Sequence, residues 1–208
     1  MQDLIALTQY ASDDIIDPTL LACWKFDEND GAVACDSMET CSGTLVGNPT
    51  WKPDGGAAGG AIKLDGTDDY VSAALTRDPS QAPFSVFAWV KGGAPGQVIL
   101  SQPKGANWLV VNASGVLMTD LRSPGRMSRA LSSQAVITDG NWHRVGLVWD
   151  GINRTLYVDD APVAADTQDG LRSAGGELQI GAGKDLASGT FWSGLIDDVR
   201  IYHRVIKP

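Results

Sequence analysis

Between residues 20 and 204 the apolar positions recur with a period of two, and no stretch there holds the spacing of an amphipathic helix. Phe84, Val86, Ala88 and Val90 alternate with Ser85, Phe87, Trp89 and Lys91, a run that is apolar on both faces in its middle. Such a run predicts a central strand covered from two sides. Ala22, Trp24 and Phe26 alternate with Cys23 and Lys25, predicting a half-buried strand that runs into the acidic turn Asp27–Gly31. Shorter strand-like runs follow at 43–47, 61–64, 70–74, 98–102, 107–112, 116–121, 142–149, 155–158, 177–181 and 191–202. Glycine- and aspartate-bearing turns separate them, and 123–133 reads as a polar loop. The pattern predicts an all-β chain, a two-sheet antiparallel β-sandwich. Residues 1–17 are the exception, a short non-β N-terminal segment in which Leu4, Ile5 and Leu7 carry helix-like spacing.

With 208 residues the chain suits one large sandwich, and 24 glycines and 10 prolines provide its turns. No apolar run reaches the length of a membrane-spanning helix, so no membrane insertion is expected. The net charge of −9 argues against nucleic acid, whose phosphates call for clustered Lys and Arg. Of 25 acidic residues three are glutamate, leaving 22 aspartates. Aspartate makes turns by accepting nearby backbone N–H groups, and it also ligates hard cations. Two potential N-glycosylation patterns occur, at Asn112-Ala-Ser114 and Asn153-Arg-Thr155.

Near the C-terminus, Ser193-Gly-Leu-Ile-Asp-Asp-Val-Arg-Ile-Tyr-His-Arg204 concentrates the chemistry. Strict alternation groups Asp197 with Val199 and Ile201 on the core face, and Ile196, Asp198, Arg200 and Tyr202 on the other. A carboxylate at the rim of a core needs an arginine, backbone N–H groups or a cation. Adjacent Asp197 and Asp198 point to opposite faces and cannot act together on one sugar. No Ser/His/Asp or Cys/His constellation is legible, and no enzyme is expected.

That stretch, with Phe26-Asp-Glu-Asn-Asp-Gly31, Leu64-Asp-Gly-Thr-Asp-Asp-Tyr-Val71, Gly43–Gly47, Phe84–Val90, Asp139–Val145 and Thr155–Asp159, resembles the laminin-G-like (concanavalin A-like) jelly-roll domains. The motifs occur in the family's order over roughly residues 20–204. The resemblance implies a jelly roll over 18–208. It makes 1–17 either a linker or the tail helix of a preceding repeat. It implies calcium held by Asp27, Asp65 and Asp197, against the alternative that these acids cap turns or pair with Arg200, Arg204 or Lys25. A Cys35–Cys41 disulfide is implied, with Cys23 unpaired; three free thiols are the alternative.

As a fold usually found outside cells, it implies an extracellular or cell-surface protein. The expected function is a non-catalytic recognition module for a glycan or cell-surface glycoconjugate. The alternative is a structural or adhesive repeat that packs on neighbouring copies of the same domain. Trp108, beside Asn107, and Trp192 are the candidate ligand-binding residues, because an exposed ring stacks on a sugar while amides reach its hydroxyls. Each tryptophan has the core as its alternative place.

Overall fold

The computed structural model describes residues 17–75, 78–125 and 129–208. The expected N-terminal linker or helix falls at 1–16, outside the described residues, but Asp17 ends the segment in a defined contact. Its carboxylate accepts from Arg204 Nη2 at 2.8 Å and from the Thr19 backbone N–H at 2.9 Å.

Two antiparallel sheets make the sandwich, as the alternating pattern requires. One sheet runs β14 (Ala161–Thr167), β13 (Asn153–Val158), β12 (Trp142–Trp149), β7 (Phe84–Gly92), β16 (Ser193–Tyr202), β5 (Ala61–Asp65) and β4 (Thr50–Lys52), with β1 (Leu20–Trp24) paired on β16. The other runs β11 (Leu131–Val136), β10 (Val116–Thr119), β9 (Asn107–Val111), β8 (Val98–Ser101), β15 (Leu178–Ile180), β6 (Tyr70–Ala73), β3 (Gly43–Val46) and β2 (Val33–Ala34).

β7 takes the central place its two apolar faces predict, between β12 and β16. Phe84, Val86, Ala88 and Val90 enter the core between the sheets. Phe87 joins Val148 and Tyr202 in a smaller cluster on the outer face, partly roofed by Val205 and Ile206. The main core is rich in large rings: Phe84 lies 5.2 Å from Trp108 and 6.4 Å from Trp149, centroid to centroid.

β16 departs from strict alternation. Asp197 pairs with Trp89 and Arg200 with Phe87, so three steps on β16 oppose two on β7. This bulge forms around Asp198, whose φ is +46°. Its effect is to change the phase. Ile196, Val199 and Ile201 all enter the main core, while Asp197 shares a face with its partner Trp89, away from the core. The expectation that Asp197 sits on the core face with Val199 and Ile201 is therefore corrected. A bulge inserts one residue and flips every side chain beyond it.

Candidate functional site

One edge of β16 is divided between two partners. β5 pairs along Ser193–Ile196 and β1 along Val199–Tyr202, so Asp197 falls in the gap between them. The Gly-rich loop 54–60 covers that gap. Asp197 Oδ2 accepts the N–H of Ala57 at 2.9 Å and of Ala58 at 3.0 Å. Its other oxygen, Oδ1, is buried without a hydrogen-bond partner, and the residue is 0% exposed. Burial pushes the carboxyl up to about 6 against the two N–H bonds that hold it down.

Asp27 meets the same loop, its Oδ1 accepting the Gly60 N–H at 2.7 Å. The glycines leave room for these oxygens. A Cβ on Gly59 would lie 2.4 Å from Asp27 Oδ1, and one on Gly56 would lie 2.8 Å from Asp197 Oδ2. Phe26 at φ +54° and Asp198 at φ +46°, the immediate neighbours of the two acids, hold backbone conformations that side chains disfavour. A buried orphan carboxylate oxygen and a second carboxylate thus meet at one loop, oxygen donors of the type calcium takes.

Asp65 does not join them. It stands at the far end of β5, opposite Ser193, roughly 13 Å of strand from Ala61. Its Oδ1 accepts the Thr67 N–H at 2.7 Å, and it groups instead with Asp68 and Asp69. Asp69 is buried and spends both oxygens on the backbone N–H groups of Asn48 and Asp65. The three-aspartate expectation thus splits, with Asp27 and Asp197 together and Asp65 in a turn of its own.

The expected Cys35–Cys41 bridge is corrected too, since Cys23, Cys35 and Cys41 are all free thiols. A carboxylate organises that loop instead. Buried Asp36 accepts the N–H groups of Cys23, Met38, Thr40 and Cys41 at 2.8 to 3.1 Å and the Thr40 hydroxyl at 2.9 Å. Burial works to raise its pKa, but these donors outweigh it and lower it.

Trp108 and Trp192 do not form a binding platform. Both are 0% exposed in the core between the sheets, which corrects their candidacy as sugar-stacking rings. Trp108 lies on β9 and Trp192 just before β16, and the core alternative weighed for each is the one realised.

Asn107, the third candidate, stands next to a cavity without lining it, bonded to two residues that do. At one end of the sandwich a space of about 270 Å³ opens between the turn before β9, the residues after β10, Arg172 and Lys184. Asn107 Nδ2 donates to Asp120 Oδ2 at 3.1 Å, and its Oδ1 accepts the Lys184 N–H at 3.1 Å. Asp120, Arg122, Arg172 and Lys184 line the space, and the Arg172 N–H donates to the Arg122 carbonyl at 2.9 Å.

Fully buried Arg154 fixes the wall from behind. Its guanidinium grips Asp166 and donates to the carbonyls of Leu121 and Arg129. Arg122, Arg154 and Arg172 were missed by sequence reasoning, because they converge from three segments distant in the chain.

The laminin-G-type family model, described as the concanavalin A-like lectin/glucanases superfamily, matches residues 65–208. This chain belongs to that superfamily. No curated protein matches it. Among solved structures, this concanavalin A-like domain is similar to domain 4 of AbnA, a GH43 extracellular arabinanase from Geobacillus stearothermophilus, in complex with arabinotriose. The two are 18% identical with a TM-score of 0.67, over 89% of this chain and 93% of that one. It is also similar to the binding domain of Paraclostridial mosquitocidal protein 1, at 10% identity and TM-score 0.70, over 90% of this chain and 49% of that one. For Trypanosoma rangeli sialidase the identity is 15% and the TM-score 0.63, over 90% of this chain and 31% of the sialidase. The concanavalin A-like chain thus spans about half of the toxin domain and about a third of the sialidase, and at these identities the likeness is one of fold.

Proposed function

We propose that this concanavalin A-like domain is a non-catalytic, extracellular recognition module that binds carbohydrate in the cavity beside Asn107 and is stabilised by a calcium ion. The observation that carries the reading is Asp120 in the cavity wall, a carboxylate held for sugar hydroxyls by the Asn107 amide behind it. The arabinanase domain of the same fold, solved with arabinotriose, supports a saccharide as the ligand class. Glycoside hydrolysis takes two carboxyl groups across the scissile bond. Among the described residues Asp120 is the single carboxylate lining this cavity, and it is already engaged by Asn107.

Asp27 and Asp197 are the residues that would hold calcium, and the ion would supply charge that buried Asp197 Oδ1 lacks. The site's place is structural. It ties loop 54–60 to the junction of β1, β5 and β16 and is built from other residues than the cavity.

The test is a binding screen of oligosaccharides on the calcium-loaded protein, followed by titration of the hits. Asn107→Ala and Asp120→Ala should each weaken binding at least tenfold while melting near the parent. Full affinity in both variants would remove the cavity from the reading.

A further inference from the structure

The charge around the cavity is unlike that of the rest of the molecule. Arg144, Arg154, Arg200 and Arg204 each pair with an aspartate: Asp160, Asp166, Asp198 and Asp17. Arg122 and Arg172 line the cavity and form no such pair among the described residues, in a chain with 22 aspartates to offer. They are not scattered. The Arg172 N–H bonds to the Arg122 carbonyl, so two guanidinium side chains spring from joined backbone at one opening. Two like charges placed together repel each other unless an anion sits with them.

Of the other charged lining residues, Asp120 is bonded to the Asn107 amide, and Lys184 Nζ is paired with Asp185 at 2.6 Å. The lining thus carries one carboxylate, hydrogen-bonded to a neutral amide, against two guanidinium groups without an ion pair among the described residues, and the balance of charge there is positive. A planar guanidinium matches a carboxylate with two parallel N–H bonds, a geometry an ammonium does not offer. The net charge of −9 disfavours loose adsorption of polyanions, so an acidic ligand would have to be held at this local site.

We infer that the saccharide bound here is an acidic one, its carboxylate held by Arg122 and Arg172 while neighbouring hydroxyls meet Asp120, which Asn107 orients. The inference rests on the carbohydrate reading above and narrows it to sugars bearing a carboxylate, whether uronate or sialate.

The experiment titrates the calcium-loaded protein with five probes. These are trigalacturonate and its carboxyl-reduced counterpart, sialyllactose and lactose, and a sulfated heparin tetrasaccharide. Arg122→Gln, Arg172→Gln and Arg172→Lys are run beside the parent, with melts to confirm folding, since both arginines are exposed. One carboxylated probe should bind, and which one does identifies the source of the carboxylate. Removing that carboxylate should weaken binding tenfold or more. Each glutamine variant should lose a similar factor for the acid and nothing for its neutral counterpart, with Arg172→Lys in between.

Equal binding of acidic and neutral partners, unmoved by the glutamine variants, would overturn the acidic inference and leave the carbohydrate reading standing. Binding of the sulfated probe alone would overturn it as well. No binding to any of the five, nor to the wider neutral screen, would bring down both.

Discussion

Asp197→Asn separates two effects that meet at one carboxylate. Burial lifts the Asp197 carboxyl to about 6, roughly two units above an ordinary aspartate, and each unit is worth 1.36 kcal/mol. Ionisation at pH 7 therefore costs the calcium-free folded state about 3 kcal/mol. The sign follows from proton uptake. Between about pH 4 and pH 6 the folded state binds the extra proton, so stability falls as pH rises through that window and stays low above it.

At the calcium site proposed above, a hundredfold excess over Kd should return about 2.7 kcal/mol, nearly the same amount. For a domain of this size that corresponds to roughly 5–10 °C in melting temperature. Asparagine keeps a carbonyl for the Ala57 and Ala58 N–H groups but carries no charge. The assay is thermal melting of calcium-stripped and calcium-loaded protein from pH 4 to 8. Parent protein should lose stability with rising pH when stripped and regain it at pH 7 with calcium. Asp197→Asn should lack the decline between pH 4 and 6 and be indifferent to calcium. A parent melt unmoved by calcium at pH 7, or a variant that keeps the calcium shift, would refute the reasoning.

Arg154→Met should destabilise by about 3 kcal/mol, because it leaves Asp166 and two loop carbonyls without their donor, and urea unfolding measures the loss. His143 bridges Asp139 at 3.0 Å and Asp159 at 2.9 Å; burial opposes its protonation, but the two carboxylates outweigh it and raise its pKa. Its contribution, about 1 kcal/mol at this half-open site, is full below pH 6.5 and fades as pH rises through the raised value. Melts from pH 6 to 9 should show a decline that His143→Gln abolishes. Asp36→Ala should cost about 3 kcal/mol by stranding its donors. In the unreduced parent, exposed Cys35 should react with maleimide at once and buried Cys23 only on unfolding, which mass spectrometry would show; a linked Cys35–Cys41 peptide would contradict this.

Local pattern carried far into the fold. The alternation of 84–91 placed β7 at the centre, and apolar periodicity located the inner strands, but not β2, β4, β11 and β14, the strands at the ends of the two sheets, where fewer residues are buried. Asp27 and Asp197 were both singled out, yet their shared loop could not be foreseen from either segment. Asp65 looked equivalent because a turn aspartate reads the same whether it caps its own backbone or reaches across. The face of Asp197 was misread because a single αL residue, Asp198, resets the alternation, and nothing in its side chain announces that. Trp108 and Trp192 show the limit from the other side, since a strand of alternating apolar residues does not say which of its two faces is covered. The arginines of the cavity come together only through pairing of distant strands.

The position of β16 carries a consequence for how the chain reaches its native state. This strand, synthesised after all the others, is not an edge but the seam of its sheet, with β7 on one side and β1 and β5 on the other. Its partner positions lie far back, Tyr202 opposite Leu20 and Ile196 opposite Ile62. Until residues 193–202 emerge from the ribosome, β7 and β5 expose unpaired N–H and C=O edges, and β1 has nothing to join. Pairings of such long sequence separation form slowly and leave open edges prone to association. A nascent chain of this domain therefore passes its most aggregation-exposed interval just before its last strand is released, and the closing of the seam is also what brings Asp197 under its loop.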